Sequence, residues 1–102
     1  MTYGFVMDVP APAELYDALH AEVNRRTSGS VDGLLLHVGR ATAEGFQVIE
    51  VWESREQADR FNHEVVLPAL VELSGGEPLQ PLPARDEFEP RGLVVPSAQV
   101  AV

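Results

Sequence analysis

The sequence predicts an α+β domain of strand–helix–strand–strand–helix–strand order: a four-stranded antiparallel sheet with two helices on one face. Three observations predict it. Residues 3–9 and 45–53 alternate in character with the period of a strand. Residues 12–27 and 54–65 repeat apolar side chains at helical spacing. Clusters of Gly, Pro and Ser separate these segments.

In the first strand Tyr3, Phe5, Met7 and Val9 alternate with Gly4, Val6 and Asp8. Pro10-Ala11-Pro12 ends it, because proline cannot extend the ladder and suits the first turn of a helix. The helix from Pro12 to Thr27 presents Leu15, Leu19 and Val23 as its stripe, with Tyr16 and Ala18 widening it. Glu14 in its first turn and Arg25-Arg26 in its last suit the helix dipole, and Ser28-Gly29-Ser30 stops it.

Gly33 to Arg40 is short and apolar and reads as a buried strand. After Ala41-Thr42-Ala43-Glu44, the strand Gly45 to Glu53 sets Phe46, Val48, Glu50 and Trp52 on one face and Gln47, Ile49, Val51 and Glu53 on the other. The two strands form a hairpin, and a one-residue change in its loop reverses the matching faces, so the spacing leaves the face of His37 open. Ser54-Arg55-Glu56-Gln57 is a capping box that opens the second helix, in which Ala58, Phe61 and Val65 form the stripe. Pro68 is expected to break or kink it before Gly75-Gly76. A last strand from Glu87 to Val95, interrupted by Pro90, belongs at an edge of the sheet. One domain is expected over residues 1–96, with a loose tail at 97–102.

Composition excludes several classes. With no cysteine there is no disulfide, thiolate metal site or cysteine nucleophile. The formal charge of −9, from 16 acidic and 7 basic residues, opposes binding to nucleic acid or anionic membranes. No stretch is long and apolar enough to span a bilayer, and the N-terminus lacks a basic leader region, so a cytoplasmic location is expected. His20, His37 and His63 are scattered, without metal-ligand spacing, and no Gly-rich phosphate loop precedes a helix. No metal or cofactor is expected.

Both sides of the third strand are apolar, and Leu34, Leu35 and Leu36 make both sides of the second apolar too. Each such side chain gains about 1.5–3 kcal/mol on burial. A monomer would leave several in water, against a total stability of about 5–15 kcal/mol. A second copy across a two-fold axis is the expected cover, giving a homodimer.

Glu50-Val51-Trp52-Glu53-Ser54, at the end of the third strand, resembles the antibiotic-biosynthesis-monooxygenase branch of the dimeric α/β-barrel, ferredoxin-like superfamily. The resemblance extends in element order from Tyr3 to about Val95. It implies a pocket between sheet and helices, with Glu50 and Trp52 in its wall and Phe61, Asn62 or His63 overlooking it. It also implies a cofactor-independent oxygenation of a hydrophobic aromatic or polyketide-like molecule. The haem-degrading branch uses a first-strand asparagine, and the first strand here has none.

The candidate residues each have a plainer alternative. Glu50, between Val48 and Trp52, is a general base or a structural acid paired with an arginine or a helix N-terminus. Trp52 is a stacking wall and oxyanion donor or the largest core residue. His63, four residues after Asp59, is a base, a haem ligand or an exposed helical histidine. His37 is a pocket base or a satisfied buried histidine, and His20 is expected at the solvent edge. Tyr3 and Tyr16 can donate phenolic hydrogen bonds to a ligand or simply pack. Cyclisation or isomerisation would use the same groups, and a non-catalytic ligand-binding or accessory dimer is the alternative outside enzymes.

Overall fold

The computed structural model describes residues 2–76 and 83–94. In chain order these form β1 (Tyr3–Val9), α1 (Ala13–Thr27), β2 (Leu34–Ala41), β3 (Phe46–Trp52), α2 (Arg55–Phe61), a π-helical turn (Asn62–Val66), α3 (Leu67–Leu73) and β4 (Asp86–Phe88). The strands make one antiparallel sheet in the order β2-β3-β1-β4. This is the expected ferredoxin-like arrangement. The tail expected at 97–102 lies outside the described residues.

Register decides what each face carries. Phe5 pairs with Glu50, Met7 with Val48 and Val9 with Phe46, so these residues share the face under the helices. Buried Phe5, Phe46, Val48, Trp52 and Ala58 form the core there, with Leu15, Tyr16, Leu34 and Phe61 packed against them. His37 pairs with Glu50 and therefore takes the same face. The point left open by the spacing is settled by a bulge. β2 slips by one residue between Leu34 and Leu36, so Leu34 faces the core and Leu36 the opposite side.

α1 follows the expected boundaries, with Pro12 as its N-cap residue and Ser28 in the left-handed conformation at its end. Leu15, Leu19 and Val23 are half-buried, but Ala18 is exposed and does not widen the stripe. Arg25 and Arg26 both pair with Glu22, and Arg26 also reaches Glu72, tying α1 to the end of α3. The Ser54 hydroxyl caps α2 by accepting from the Gln57 N–H at 3.2 Å. The Gln57 side chain, expected to reach back to the Ser54 backbone, instead accepts from the Ser54 hydroxyl and donates to Asp32.

Two expectations are narrowed. Of the break or kink expected at Pro68, the break does not occur. Pro68 has no N–H to return to the carbonyl four residues back, and the chain widens just before it, the Leu67 N–H reaching the Asn62 carbonyl. α3 then continues with Pro68 in its first turn, and Gly75 and Gly76, both at positive φ, end it. The last strand is shorter than expected: Asp86–Phe88, before Pro90. It lies at the edge beside β1, where a proline just past its end costs no ladder bond.

The face away from the helices is apolar through its middle. It carries Val6, Leu36, Val38, Ile49 and Val51, and the Phe88 ring lies across Gly4, where a Cβ would come within 2.5 Å of it. Val38 is 41% and Phe88 40% exposed. One end of the face is polar: Arg40 donates to Gln47 and Gln47 to Asp8.

Candidate functional site

The helix-covered face contains one continuous polar thread. Trp52 Nε1 donates to Glu50 Oε1 at 2.9 Å. Glu50 Oε2 lies 2.7 Å from His37 Nδ1, and His37 Nε2 lies 2.7 Å from the Tyr16 hydroxyl. Beyond Tyr16 stands His20 Nδ1, at 3.5 Å. Strand geometry explains the assembly. Glu50 and Trp52 are two apart on β3 and so share a face, and His37 sits directly across from Glu50 on β2. Tyr16 and His20 are four apart on α1 and point down onto that strand.

A missing side chain makes room for the phenol. Gly39 follows His37 by two residues on the same face, and a Cβ there would lie 2.1 Å from Tyr16 Cζ and 2.3 Å from its oxygen. The tyrosine ring therefore lies against the β2 backbone, tilted on Phe46 and nearly parallel to both imidazoles.

The thread is half-buried. The side chains of His37 and Glu50 are 22% and 12% exposed, whereas Trp52 is wholly enclosed and packs on Phe61. Glu50 Oε1 accepts from the Trp52 N–H, Oε2 lies against His37 Nδ1, and neither oxygen meets an arginine. Burial first, and then the nearby Glu50 and Asp17 charges, push the Tyr16 hydroxyl above the ordinary phenol range. Such a chain can accept a proton at the imidazole and hold the resulting cation against the carboxylate.

The other candidates lie elsewhere. Tyr3 donates to Glu87 at 2.6 Å and accepts from Arg85 at 3.1 Å, in a cluster that joins β4 to β1 and α2. Arg85 also donates to Asp59 at 2.7 Å and lies 4.5 Å over the Phe5 ring. Asp59 is thus turned to Arg85 and Arg55, not to His63. His63 is exposed on the π-helical turn, and Asn62 is half-buried beside it. Phe61 lines a cleft of about 190 Å³ with Val31, Asp32, Arg60 and Glu64, none of them a member of the polar thread.

Sequence reasoning brought Glu50, Trp52, His37 and Tyr16 forward one at a time, and the fold joins them. It left His20 at the solvent edge. Its four-residue spacing from Tyr16 was the available signal, but that spacing means little until β2 is known to run beneath α1. Among the described residues no group of three or more His, Asp or Glu is placed to hold a metal ion, and no helix is long and apolar enough to cross a membrane.

No family model matches the sequence, and no curated protein is similar to it. Solved structures do share its fold. A candidate antibiotic biosynthesis monooxygenase from Chloroflexus aurantiacus is 24% identical, with a TM-score of 0.63 over 93% of this chain and 98% of the other. Rv0793 from Mycobacterium tuberculosis is 18% identical, with a TM-score of 0.61 over 93% and 100% of the two chains. SnoaB, a cofactor-independent oxygenase from Streptomyces nogalater, is 16% identical, with a TM-score of 0.52 over 94% and 96%.

Proposed function

We propose, from the fold that this chain shares with the antibiotic-biosynthesis-monooxygenase-like branch of the ferredoxin-like superfamily, that it is a small dimeric enzyme. It takes a proton from a hydrophobic aromatic or polyketide-like molecule and lets the resulting anion react with oxygen, without a cofactor. The observation that carries this reading is the Glu50–His37 pair at 2.7 Å, with the second Glu50 oxygen held by the Trp52 indole. A carboxylate fixed at both oxygens orients the imidazole and stabilises its cation, which a general base requires. The work divides simply. The protein supplies a partly dry site and the proton acceptor, and the electron-rich anion supplies the electrons that oxygen takes up.

Of the groups considered at the outset, Glu50 and His37 fill the proton-accepting role in this proposal. Trp52 orients Glu50, because its N–H is already engaged and its ring faces Phe61. Exposed His63 stands apart from the thread and has no part in it. The apolar sheet face with Val38 and Phe88 exposed supports a second copy as its cover.

The test is oxygen consumption with 1,8-dihydroxyanthrone, whose anion is readily oxidised. The protein is expected to accelerate uptake over buffer. His37→Ala and Glu50→Gln are expected to lower the rate by about 10²-fold or more, the usual worth of a positioned base. Uptake equal to buffer, or undiminished in both variants, overturns the reading.

A second reading, a non-catalytic ligand-binding dimer, is favoured by the complete enclosure of Trp52, which offers a ligand no indole face. Thermal stabilisation by the anthrone without oxygen uptake would select it.

A further inference from the structure

The ends of the polar thread fix the direction of its protons. An ionised carboxylate only accepts, and the two Glu50 oxygens face the Trp52 indole N–H and His37 Nδ1. His37 in its neutral form therefore carries its proton on Nδ1, leaving Nε2 as an acceptor. The group 2.7 Å from Nε2 is the Tyr16 hydroxyl, which must be the donor. Tyr16 thus stands over the one imidazole nitrogen that could receive a substrate proton.

Two features hold it there. Gly39 supplies the seat, since any Cβ would collide with the phenol. The buried environment keeps the hydroxyl protonated, because burial and neighbouring carboxylates disfavour the phenolate. On its far side the phenol oxygen is 3.5 Å from His20 Nδ1, too long for a strong hydrogen bond. A lone pair of that oxygen is left toward His20. The rings of Tyr16, His20 and His37 are within 17° of parallel, with centroids 5.5–6.0 Å apart. They outline a flat, ring-lined corner at β2, an edge strand of the sheet.

We propose that Tyr16, not His37, meets the substrate, and that it relays the proton of an acidic aromatic hydroxyl to His37 with His20 flanking the bound oxygen. The proposal rests on the base assignment above and adds the group through which that base acts. In the step, the substrate O–H bond breaks as a new O–H bond forms on the Tyr16 oxygen. The original Tyr16 proton passes to His37 Nε2. The products are the substrate anion, an uncharged phenol and an imidazolium held by the Glu50 carboxylate, so charge and protons balance without an oxidant. Tyr16 need never exist as a free phenolate, which its surroundings disfavour.

The probe is 4-nitrophenol, held at a pH where it is mostly un-ionised in solution. Its phenolate absorbs visibly, and long-range proton–nitrogen NMR reports whether His37 Nε2 carries a proton. The wild-type protein is expected to bind the probe as phenolate with Nε2 protonated. Tyr16→Phe, which keeps the ring on Gly39, is expected to lower the bound phenolate fraction by about tenfold, one unit of proton affinity. Gly39→Ala keeps the hydroxyl but displaces the ring, and should give the same loss. A matching far-ultraviolet circular dichroism spectrum confirms that each variant is folded. If both variants still yield phenolate and a protonated Nε2, the relay is overturned while the base assignment stands. If the wild-type protein itself leaves the probe neutral, the base assignment fails and the relay falls with it.

Discussion

The two faces of this sheet are made by the same strands and are comparably apolar, yet they solve different problems. Under the helices the apolar residues are closed over, and the polar groups among them are paired, in the thread around Glu50 and in the cluster of Tyr3, Arg85, Glu87 and Asp59. On the other face Val38 and Phe88 stand exposed, and the polar groups are set aside at one end as Arg40, Gln47 and Asp8. A polar group placed deep in an apolar layer is costly unless it is paired, so the thread on the covered face is the feature that calls for a use. An apolar layer left in water is costly unless it is covered, so the open face calls for a partner.

The contrast breaks most visibly at Val38. The proposed dimer buries it, so Val38→Asp is expected to convert a particle of twice the 11.1 kDa chain mass into one of 11.1 kDa. Analytical ultracentrifugation at micromolar concentration reads this directly. A wild-type particle that already sediments as a compact single chain would leave the open face without the partner assigned to it.

On the covered face the expected effect is smaller and energetic. Glu50→Ala strands the Trp52 N–H, which is fully enclosed, and the His37 N–H. Leaving a buried donor unpaired costs about 1–3 kcal/mol. Equilibrium urea unfolding should show a loss in that range, and Glu50→Gln a smaller one because its amide oxygen still accepts from one donor. Equal stability of Glu50→Ala and the wild type would mean that water reaches the indole.

Two glycines sharpen the comparison further. Gly39 on the covered face and Gly4 on the open face each lie beneath an aromatic ring, Tyr16 and Phe88 respectively. Tyr16 is hemmed in by Phe46 and by its hydrogen bond to His37, so Gly39→Ala is expected to cost about 1–3 kcal/mol as an overpacked site. Phe88 is 40% exposed in the single chain and can swing outward there, so in a chain kept monomeric by Val38→Asp, Gly4→Ala should cost well under half as much in the same unfolding assay. Reversal of that order would show that the open face is the more rigid of the two.

Much of this architecture was legible in the sequence because it rests on local patterns. Alternation marks β1 and β3, helical spacing marks α1, and Ser54 announces α2. The face of His37 was not legible, because it depends on a one-residue bulge at Leu34–Leu36 that leaves no mark in a run of three leucines. The Tyr16 contact was hidden for a similar reason. It needs Gly39 across from it, and a glycine in a strand reads locally as a weakness, not as a seat for a ring from another element. The π-helical turn was half legible. Pro68 signalled a disturbance, but whether a helix breaks or widens depends on the packing that holds its two ends in line.

The smallest expected effect is in alkali, where the tyrosines of the two clusters can be set against each other. Burial raises both Tyr3 and Tyr16 above the ordinary value of 10.0. A raised value means the folded chain holds these protons more tightly than the unfolded chain does. The stability they contribute is therefore intact below pH 10.0 and is lost as pH rises through their folded values. Around Tyr16 the carboxylates of Glu50 and Asp17 add to the effect of burial; at Tyr3 the Glu87 carboxylate adds to it and the Arg85 cation works against it. Tyr16→Phe and Tyr3→Phe should each flatten the alkaline fall in thermal midpoint, and Glu50→Gln should reduce the share that Tyr16 contributes. An alkaline fall unchanged in Tyr16→Phe would mean that neither burial nor the Glu50 charge holds the Tyr16 proton.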